Sequence, residues 1–459
     1  VQALSPLTGT ALRLAMLAVA LGTFVSVVTG TIVSVPLRDI ANDLHVSIAA
    51  ASLILTGSNL AFGSLMPLGG WLGNRFGHRR VFIFGNTALA LTGLAGAFAP
   101  NLSTLVVLRV VQGASSATIT PCVIAMLASL VAPPERPRAL ANWAMANGMG
   151  QALGPPLGGL IAGALGWRSI FIPGALIAVG VIVMALRYVP VEGGRTIPLE
   201  WRGALALTSA ALLSLGAASA VPQAGILAPG VLVGFGLALV SLMLFLRQTY
   251  RSEHPFVSPG VFREPSYLRA CIGVTTGTFS LGTALLTIPL YLTRVIGVST
   301  AQAGLIAFAF PLAMVLSAQP VGYLIRRFGV SNGMRVGLLG LTTICVALWW
   351  GCDHLIPIVI FVPLIFAAGI GLAFVHNAAA VASTASAAAR YGAGVGMFNL
   401  IRVFGTTLGT VSVAAILASD PSRFGFAFSV SAIVALFGFL VMMVIPPDVV
   451  AEPVHVSTA

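Results

Sequence analysis

Apolar stretches of bilayer length follow one another along the whole chain, and this repetition constrains the fold more than any single motif. A helix needs about 20 consecutive apolar residues to cross a bilayer. Fourteen such stretches are expected, at 11–35, 48–69, 81–99, 104–129, 139–163, 169–189, 202–219, 229–246, 268–292, 301–324, 335–352, 357–383, 393–417 and 424–445. With 58% hydrophobic and only 7% charged residues, the chain has too little polar surface for a water-soluble globule. The expected class is an all-α polytopic membrane protein. No segment between stretches is long enough to bury a core of its own, so no soluble catalytic domain, and no enzyme, is expected.

All 23 basic residues are Arg and the net charge is +12, a balance that in a soluble chain would suggest a nucleic-acid partner. Their positions argue otherwise. Arg38, Arg168, Arg294 and Arg423 fall on one side of the expected membrane, Arg109 and Arg402 fall within stretches, and the other seventeen fall on the opposite side. The positive-inside rule then puts both termini in the cytoplasm of a plasma membrane, read here as a bacterial inner membrane, with no cleavable signal peptide and no nucleic-acid partner expected. Cys122, Cys271, Cys345 and Cys352 lie in or near apolar stretches without metal-ligand spacing, so free buried thiols are expected, with no metal and no cofactor.

Within the fifth stretch, Gly150, Gly154 and Gly158 recur at i, i+4 and i+8, with Pro155 and Gly159 beside them. Stacked glycines let another backbone approach closely, and a proline removes one ladder hydrogen bond, which describes a helix built to pack and flex. An internal repeat is also legible: residues 70–77 and 322–329 share G-x-L-x-x-R-F-G in register, at an offset of 252. Six stretches precede Glu192 and six follow Pro265. The expected organisation is an N-terminal six-helix bundle (1–190), an inserted helix pair with its linker (191–255), and a C-terminal six-helix bundle with a cytoplasmic tail (256–459). Parallel repeats of six helices are a transporter arrangement.

On these residues the chain resembles the 14-helix drug/proton antiporter family of the major facilitator superfamily. Gly70 to Arg80 is similar to that superfamily's loop between helices 2 and 3, Arg109-Val110-Val111-Gln112-Gly113 to its helix-4 motif, and Gly150 to Gly159 to its helix-5 antiporter motif; Gly166 to Phe171 and Asn399 to Arg402 also look like family patterns. The resemblance implies two six-helix bundles plus two extra central helices, alternating access, and multidrug-type efflux coupled to protons. Gly70, Asn74, Arg75, Gly77 and Arg79 would then be conformational motif residues, together with those of helix 5. Two departures matter. The fifth motif position, usually Asp, is Asn74, and the acid that in the family stands two residues before Thr-Ile-Val is replaced by Thr29.

Arg109, Gln112, Ser116 and Thr120 form one polar stripe along helix 4. An Arg inside the membrane costs about 2.5–3.5 kcal/mol on insertion scales and is a functional candidate by default; the alternative is a structural Arg satisfied by carbonyls and Gln112. Further stripes carry Ser26 and Thr29 on helix 1, Asn59 on helix 2, Thr276, Ser280 and Thr283 on helix 9, and Asn399 and Arg402 on helix 13. Together they suggest a polar cavity between the bundles, with back-bonding to the parent helix as the alternative for each Ser or Thr. All eleven acids map to loops, helix ends or the tail, so proton coupling has no buried carboxylate to use. His376, in the twelfth stretch, is the surrogate proton carrier or a structural His, and Asp39, at the outer end of helix 1, is a second candidate.

The resulting expectation is a monomeric exporter of hydrophobic or amphiphilic small molecules, in contact with membrane lipids and with protons as possible coupling ions. A cavity with arginines and no acid favours a neutral or anionic amphiphile. The alternatives are a lipid or anion transporter that is uncoupled or differently coupled, and a non-transporting membrane sensor or scaffold.

Overall fold

Fourteen long helices account for most of the chain in the computed structural model, which describes residues 9–445 apart from 192, 195–197, 254, 258 and 386–393. Glu192, Arg195, His254, Arg390, Asp448 and Glu452, and the end of the Ala-rich run 378–389, lie outside the described residues. The helices are α1 (Gly9–Thr31), α2 (Leu53–Phe76), α3 (His78–Ala97), α4 (Leu102–Leu130), α5 (Arg136–Leu165), α6 (Phe171–Tyr188), α7 (Trp201–Ala224), α8 (Pro229–Arg251), α9 (Pro265–Arg294), α10 (Ala309–Phe328), α11 (Val330–Asp353), α12 (Ile358–Ala385), α13 (Gly394–Ser419) and α14 (Phe424–Val444). Twelve of the helical segments are long and apolar enough to cross a membrane. The expected spans α2 and α5 are long enough but too rich in Gly, Ser and Asn to reach that apolarity.

Helices α1 to α6 pack among themselves, as do α9 to α14. The two sets meet along α5 with α10 and along α2 with α13, and small residues make both seams. A Cβ on Gly322 of α10 would lie 3.0 Å from the Pro137 carbonyl of α5, and one on Gly396 of α13 would lie 2.3 Å from the Met66 carbonyl of α2. Where α4, α10 and α12 end and α5 and α13 begin, the sets also share an apolar seal: Cys122, Met126, Leu127, Leu140 and Trp143 pack with Ala380, Val381 and Val395. Polar links cross there as well. Gln319 Nε2 donates to Asn142 Oδ1, and Arg326 pairs with Glu135 at 2.7 Å.

Gly150, Gly154 and Gly158 form the face of α5 that meets α1. A Cβ on Gly150 would come within 2.7 Å of Val27, one on Gly154 within 1.9 Å of Thr31 Oγ1, and one on Gly158 within 1.9 Å of the Ile32 carbonyl. A Cβ on Gly159 would lie 3.1 Å from Val35, and α5 continues unbroken through Pro155. The repeated motif is helical rather than looped, which corrects the expected loop. Gly70, Asn74 and Arg75 occupy the last turns of α2, and only Gly77 stands between α2 and α3. Gly77 has φ +94° and its counterpart Gly329 φ +90°, a region that favours glycine, so each repeat makes a one-residue turn. Asn74 Nδ2 donates to the Gly70 carbonyl at 3.0 Å. Arg79 donates to the Ala185 and Leu186 carbonyls at the end of α6, while Arg335 donates to the Met442 carbonyl near the end of α14, so each half has an Arg closing a distant helix terminus.

Three further expectations are corrected. α1 ends at Thr31 rather than 35, and Asp39 belongs to a separate short helix, Leu37–Asp43, where it is exposed. The inserted pair, expected to face lipid because it carries few polar residues, does not do so as a unit. Leu207, Ala211 and Leu215 of α7 are buried, and Leu215 reaches Gly63 of α2 beside Val403 of α13, so α7 covers the α2–α13 seam. α8 packs on α7 and exposes Leu232, Val233, Leu237, Val240, Met243 and Leu244.

Asp43 ties three connections together: Arg168 donates to its carboxylate and Trp167 Nε1 does so at 3.1 Å, while Arg168 also reaches the Ala99 carbonyl at 3.3 Å. The Arg168 hydrogen bond, then that of Trp167, holds the Asp43 carboxyl below its ordinary value of 3.8. A depressed folded value means stabilisation that is present above 3.8 and lost as pH falls through the folded value. Melting temperature is therefore expected to respond to Asp43→Asn at neutral pH and to lose that response in strong acid; an equal effect at both pH values would contradict the assignment. For α5, Gly158→Leu is expected to destabilise by roughly 1–3 kcal/mol through overpacking against α1. Gly163→Ala, which meets nothing within 4 Å, is the control expected to melt no lower than wild type.

Candidate substrate cavity

The end of α1 explains where Arg109 goes. A helix leaves its last carbonyls without intrahelical partners, and these carry the negative end of the helix dipole. Because α1 stops at Thr31, the carbonyls of Thr29 and Gly30 are of this kind. Arg109, buried at 1% exposure, donates to them at 2.7 and 3.2 Å, approaches the Ile54 carbonyl of α2 at 3.5 Å, and donates to Gln112 Oε1. The guanidinium therefore clamps α4 to α1 and α2, and the helix end stands in for the absent acid.

Beside this clamp lies a cavity of about 270 Å³ bounded by both helix sets. The first set contributes Ser26, Val27, Gly30 and Thr31 of α1, Ser58, Asn59 and Phe62 of α2, Gly113 and Ser116 of α4, and Asn147 and Gln151 of α5. The second contributes Leu281 of α9 and Arg402, Val403, Thr406 and Thr407 of α13. Pockets for drug-sized ligands run to roughly 300–1,000 Å³, so this one suits a compact molecule. Its lining holds one charged side chain, Arg402, and no carboxylate.

Of the expected cavity residues, Ser26, Asn59, Ser116 and Arg402 do line it, and the others stand elsewhere. Arg109 and Gln112 lie behind the wall. Thr29 bonds back to the Val25 and Ser26 carbonyls at 2.8 and 3.1 Å and points its methyl at Gly174 of α6. On α9 the Thr/Ser stripe turns toward α14: Thr276 packs on Gly438, and Ser280 Oγ accepts from Ser431 Oγ at 2.9 Å, with Cys345 Sγ 3.6 Å from the latter. Thr283 is buried outside the lining. Asn399 Nδ2 bonds back to the Val395 carbonyl at 2.9 Å. The i, i+4 pair Asn147 and Gln151, which hydrogen-bond to each other, was not among the expected cavity residues, although polar residues one turn apart in an apolar span are a readable signal; Phe62 and Leu281 carry no such signal, because an apolar residue in a span looks alike on every face.

A second cluster adjoins the cavity. The Arg402 guanidinium lies 5.7 Å from the Trp143 ring centre, and the His376 ring is tilted against the same Trp143 ring, with centres 6.3 Å apart. His376 is 1% exposed and does not line the cavity. Both its ring nitrogens, Trp143 Nε1, Arg402 Nε and Asn399 Oδ1 have no hydrogen-bond partner among the described residues. Those residues also include no group of His, Cys, Asp and Glu arranged to hold a metal.

The chain matches the Major Facilitator Superfamily over residues 18–262 and 270–458. It is 28% identical over 419 residues to "Drug efflux pump JefA" of Mycobacterium tuberculosis, spanning 89% of this chain and 80% of that protein. It is 30% identical over 316 residues to "Multidrug resistance protein B homolog" of the same organism, spanning 67% of this chain and 58% of that one, and 30% identical over 313 residues to "Methylenomycin A resistance protein" of Streptomyces coelicolor, spanning 66% and 65%. Among solved structures, the human organic anion transporter TETRAN aligns with a TM-score of 0.69 at 17% identity, covering 95% of this chain and 100% of that one. The proton:xylose symporter XylE aligns at 0.64 and 16%, covering 95% and 96%. At these identities the two structures share the fold.

Arg109→Ala leaves the Thr29 and Gly30 carbonyls without their donor, which is expected to cost roughly 1–3 kcal/mol. The expected readout is a lower melting temperature together with faster amide exchange at 29–33; unchanged exchange there would contradict the clamp.

Proposed function

The chain belongs to the Major Facilitator Superfamily, and from that membership we propose a multi-pass transporter that exports hydrophobic or amphiphilic small molecules by alternating access. The observation that carries this reading is the cavity built from both helix sets and bordered by a seal at one end. Relatives named as drug efflux and antibiotic resistance proteins support the direction and the substrate class.

In this reading all fourteen long helices cross the membrane. At 1.5 Å per residue the 24 residues of α2 and the 30 of α5 reach about 36 and 45 Å, beyond the roughly 30 Å hydrocarbon core. Their low apolarity suits them to the seams and the cavity, where they face protein rather than lipid. The chain divides into 1–190, 191–255 and 256–459, with the inserted pair covering one seam. The Arg distribution supports cytoplasmic termini in a bacterial inner membrane. The sealed end is then cytoplasmic, and the cavity belongs to an outward-facing state latched by Glu135–Arg326 and Asn142–Gln319. The α5 glycines let α1 and α5 move as one body, and the α2 terminus from Gly70 to Arg79 supports the same bundle. One chain supplies the whole cavity, so a monomer suffices.

Proton coupling, which the family resemblance implies, is assigned to His376 rather than to Asp39, because Asp39 is exposed on the short helix Leu37–Asp43, whereas His376 is buried against Trp143, the ring that also meets the cavity-lining Arg402. Proteoliposomes containing the protein are expected to move an amphiphilic dye against its gradient when a pH gradient is imposed. Vesicles that move no amphiphile under any gradient would favour a sensor or scaffold instead. His376→Gln is expected to keep dye transport down its own gradient and to lose the response to pH; a mutant that responds like wild type removes His376 from coupling.

A further inference from the structure

We propose that Arg402, stacked on Trp143 in the cavity wall, is a subsite for one anionic group of an amphiphile, a carboxylate, sulfonate or phosphate, whose apolar body rests on Phe62, Leu281 and Val403. The inference rests on the transport reading and specifies the substrate for the same cavity.

Four observations converge. First, Arg402 is 7% exposed, and what remains exposed belongs to the cavity lining. Second, its guanidinium has no hydrogen-bond partner or ion pair among the described residues; Thr278 and Thr406 bond to its backbone carbonyl, not its side chain. Third, no carboxylate lines the cavity among the described residues, so these supply no counter-charge there. Fourth, the Arg402 Cζ lies over the Trp143 ring at 5.7 Å from its centre, a contact that uses none of the guanidinium N–H groups as hydrogen-bond donors to oxygen and leaves them for another acceptor.

A buried cation without an anion is costly, and one whose N–H groups remain unpaired is more so. Arg109 shows how this chain meets that cost where the Arg is structural: two helix-end carbonyls and a Gln amide oxygen accept its hydrogen bonds. Arg402 has no equivalent set. An occupant of the cavity can supply the missing acceptors, and a planar guanidinium edge matches the paired oxygens of a carboxylate, sulfonate or phosphate. The neighbouring polar groups, Thr406, Thr407, Asn147 and Gln151, are neutral and can solvate the ligand without repelling its charge. A cationic amphiphile would meet the Arg402 charge with no acid to offset it, which gives the site its selectivity.

The test uses the full chain in nanodiscs of phosphatidylcholine and two probes with one skeleton, anilinonaphthalene sulfonate and the neutral N-phenylnaphthylamine. Wild type is expected to bind both, and Arg402→Gln to weaken the sulfonate roughly ten-fold while changing the neutral probe less than two-fold. Equal losses for both probes would make Arg402 structural, and no loss for either would place the anion elsewhere; both results overturn the subsite and leave the cavity reading standing. Wild type that binds neither probe overturns both readings. Because Arg402→Gln can fail to fold, a second measurement uses wild type alone. Modification of Arg402 by phenylglyoxal, followed by peptide mass spectrometry, is expected to be suppressed by the sulfonate and not by the neutral probe; equal suppression or none contradicts the proposal. Added phosphatidylglycerol separates the two sources of the anion: displacement of the sulfonate assigns the subsite to lipid headgroups, and retention assigns it to soluble amphiphiles.

Discussion

A guanidinium inside a membrane protein has to find acceptors there, and the way Arg109 finds them organises the first helix set. Its bonds to Thr29 and Gly30 use carbonyls that exist as free acceptors only because α1 ends at Thr31. Two residues of chain geometry thus replace a carboxylate. The same stretch of α1 meets the glycine face of α5, and its Ser26, Val27, Gly30 and Thr31 form a wall of the cavity. The clamp therefore sets the position of α1, and α1 sets the shape of the space between the helix sets.

Arg402 is the counterpart left unresolved by the protein itself. Both arginines are more than nine-tenths buried, yet one is saturated by backbone and amide oxygens while the other stacks on an aromatic face with its Nε unpaired. Structural and ligand-facing charges are separated by this difference in satisfaction rather than by depth. It also sets the sign of the cavity, which is positive because every described acid lies at a helix end or in a connection.

Much of the fold was legible, because span length and the register of Gly70–Gly77 with Gly322–Gly329 are direct consequences of bilayer thickness and repeat architecture. The glycine face of α5 was readable as a close-packing surface, though not its partner α1. The site was less legible for a definite reason. A polar stripe gives a helix face but not the neighbour that face meets, so Thr276 and Ser280 read like cavity residues although they face α14, and Thr29 likewise although it faces α6. Arg109 could be resolved only when the end of α1 was located, since an acceptor set made of backbone has no sequence signature. The role of α7 was hidden similarly: a small, apolar helix suits lipid and a protein seam equally well, and only Leu215 against Gly63 and Val403 decides.

Direct visualisation of the occupied cavity tests the central claim, that one space between the helix sets binds the transported molecule with Arg402 as the one charged side chain among its described lining residues. In a structure of the protein in nanodiscs with anilinonaphthalene sulfonate, the account predicts the sulfonate about 2.8 Å from the Arg402 N–H groups and the rings against Phe62 and Leu281. A probe held elsewhere, or one whose sulfonate turns away from Arg402 while Arg402 stays stacked on Trp143, would contradict it.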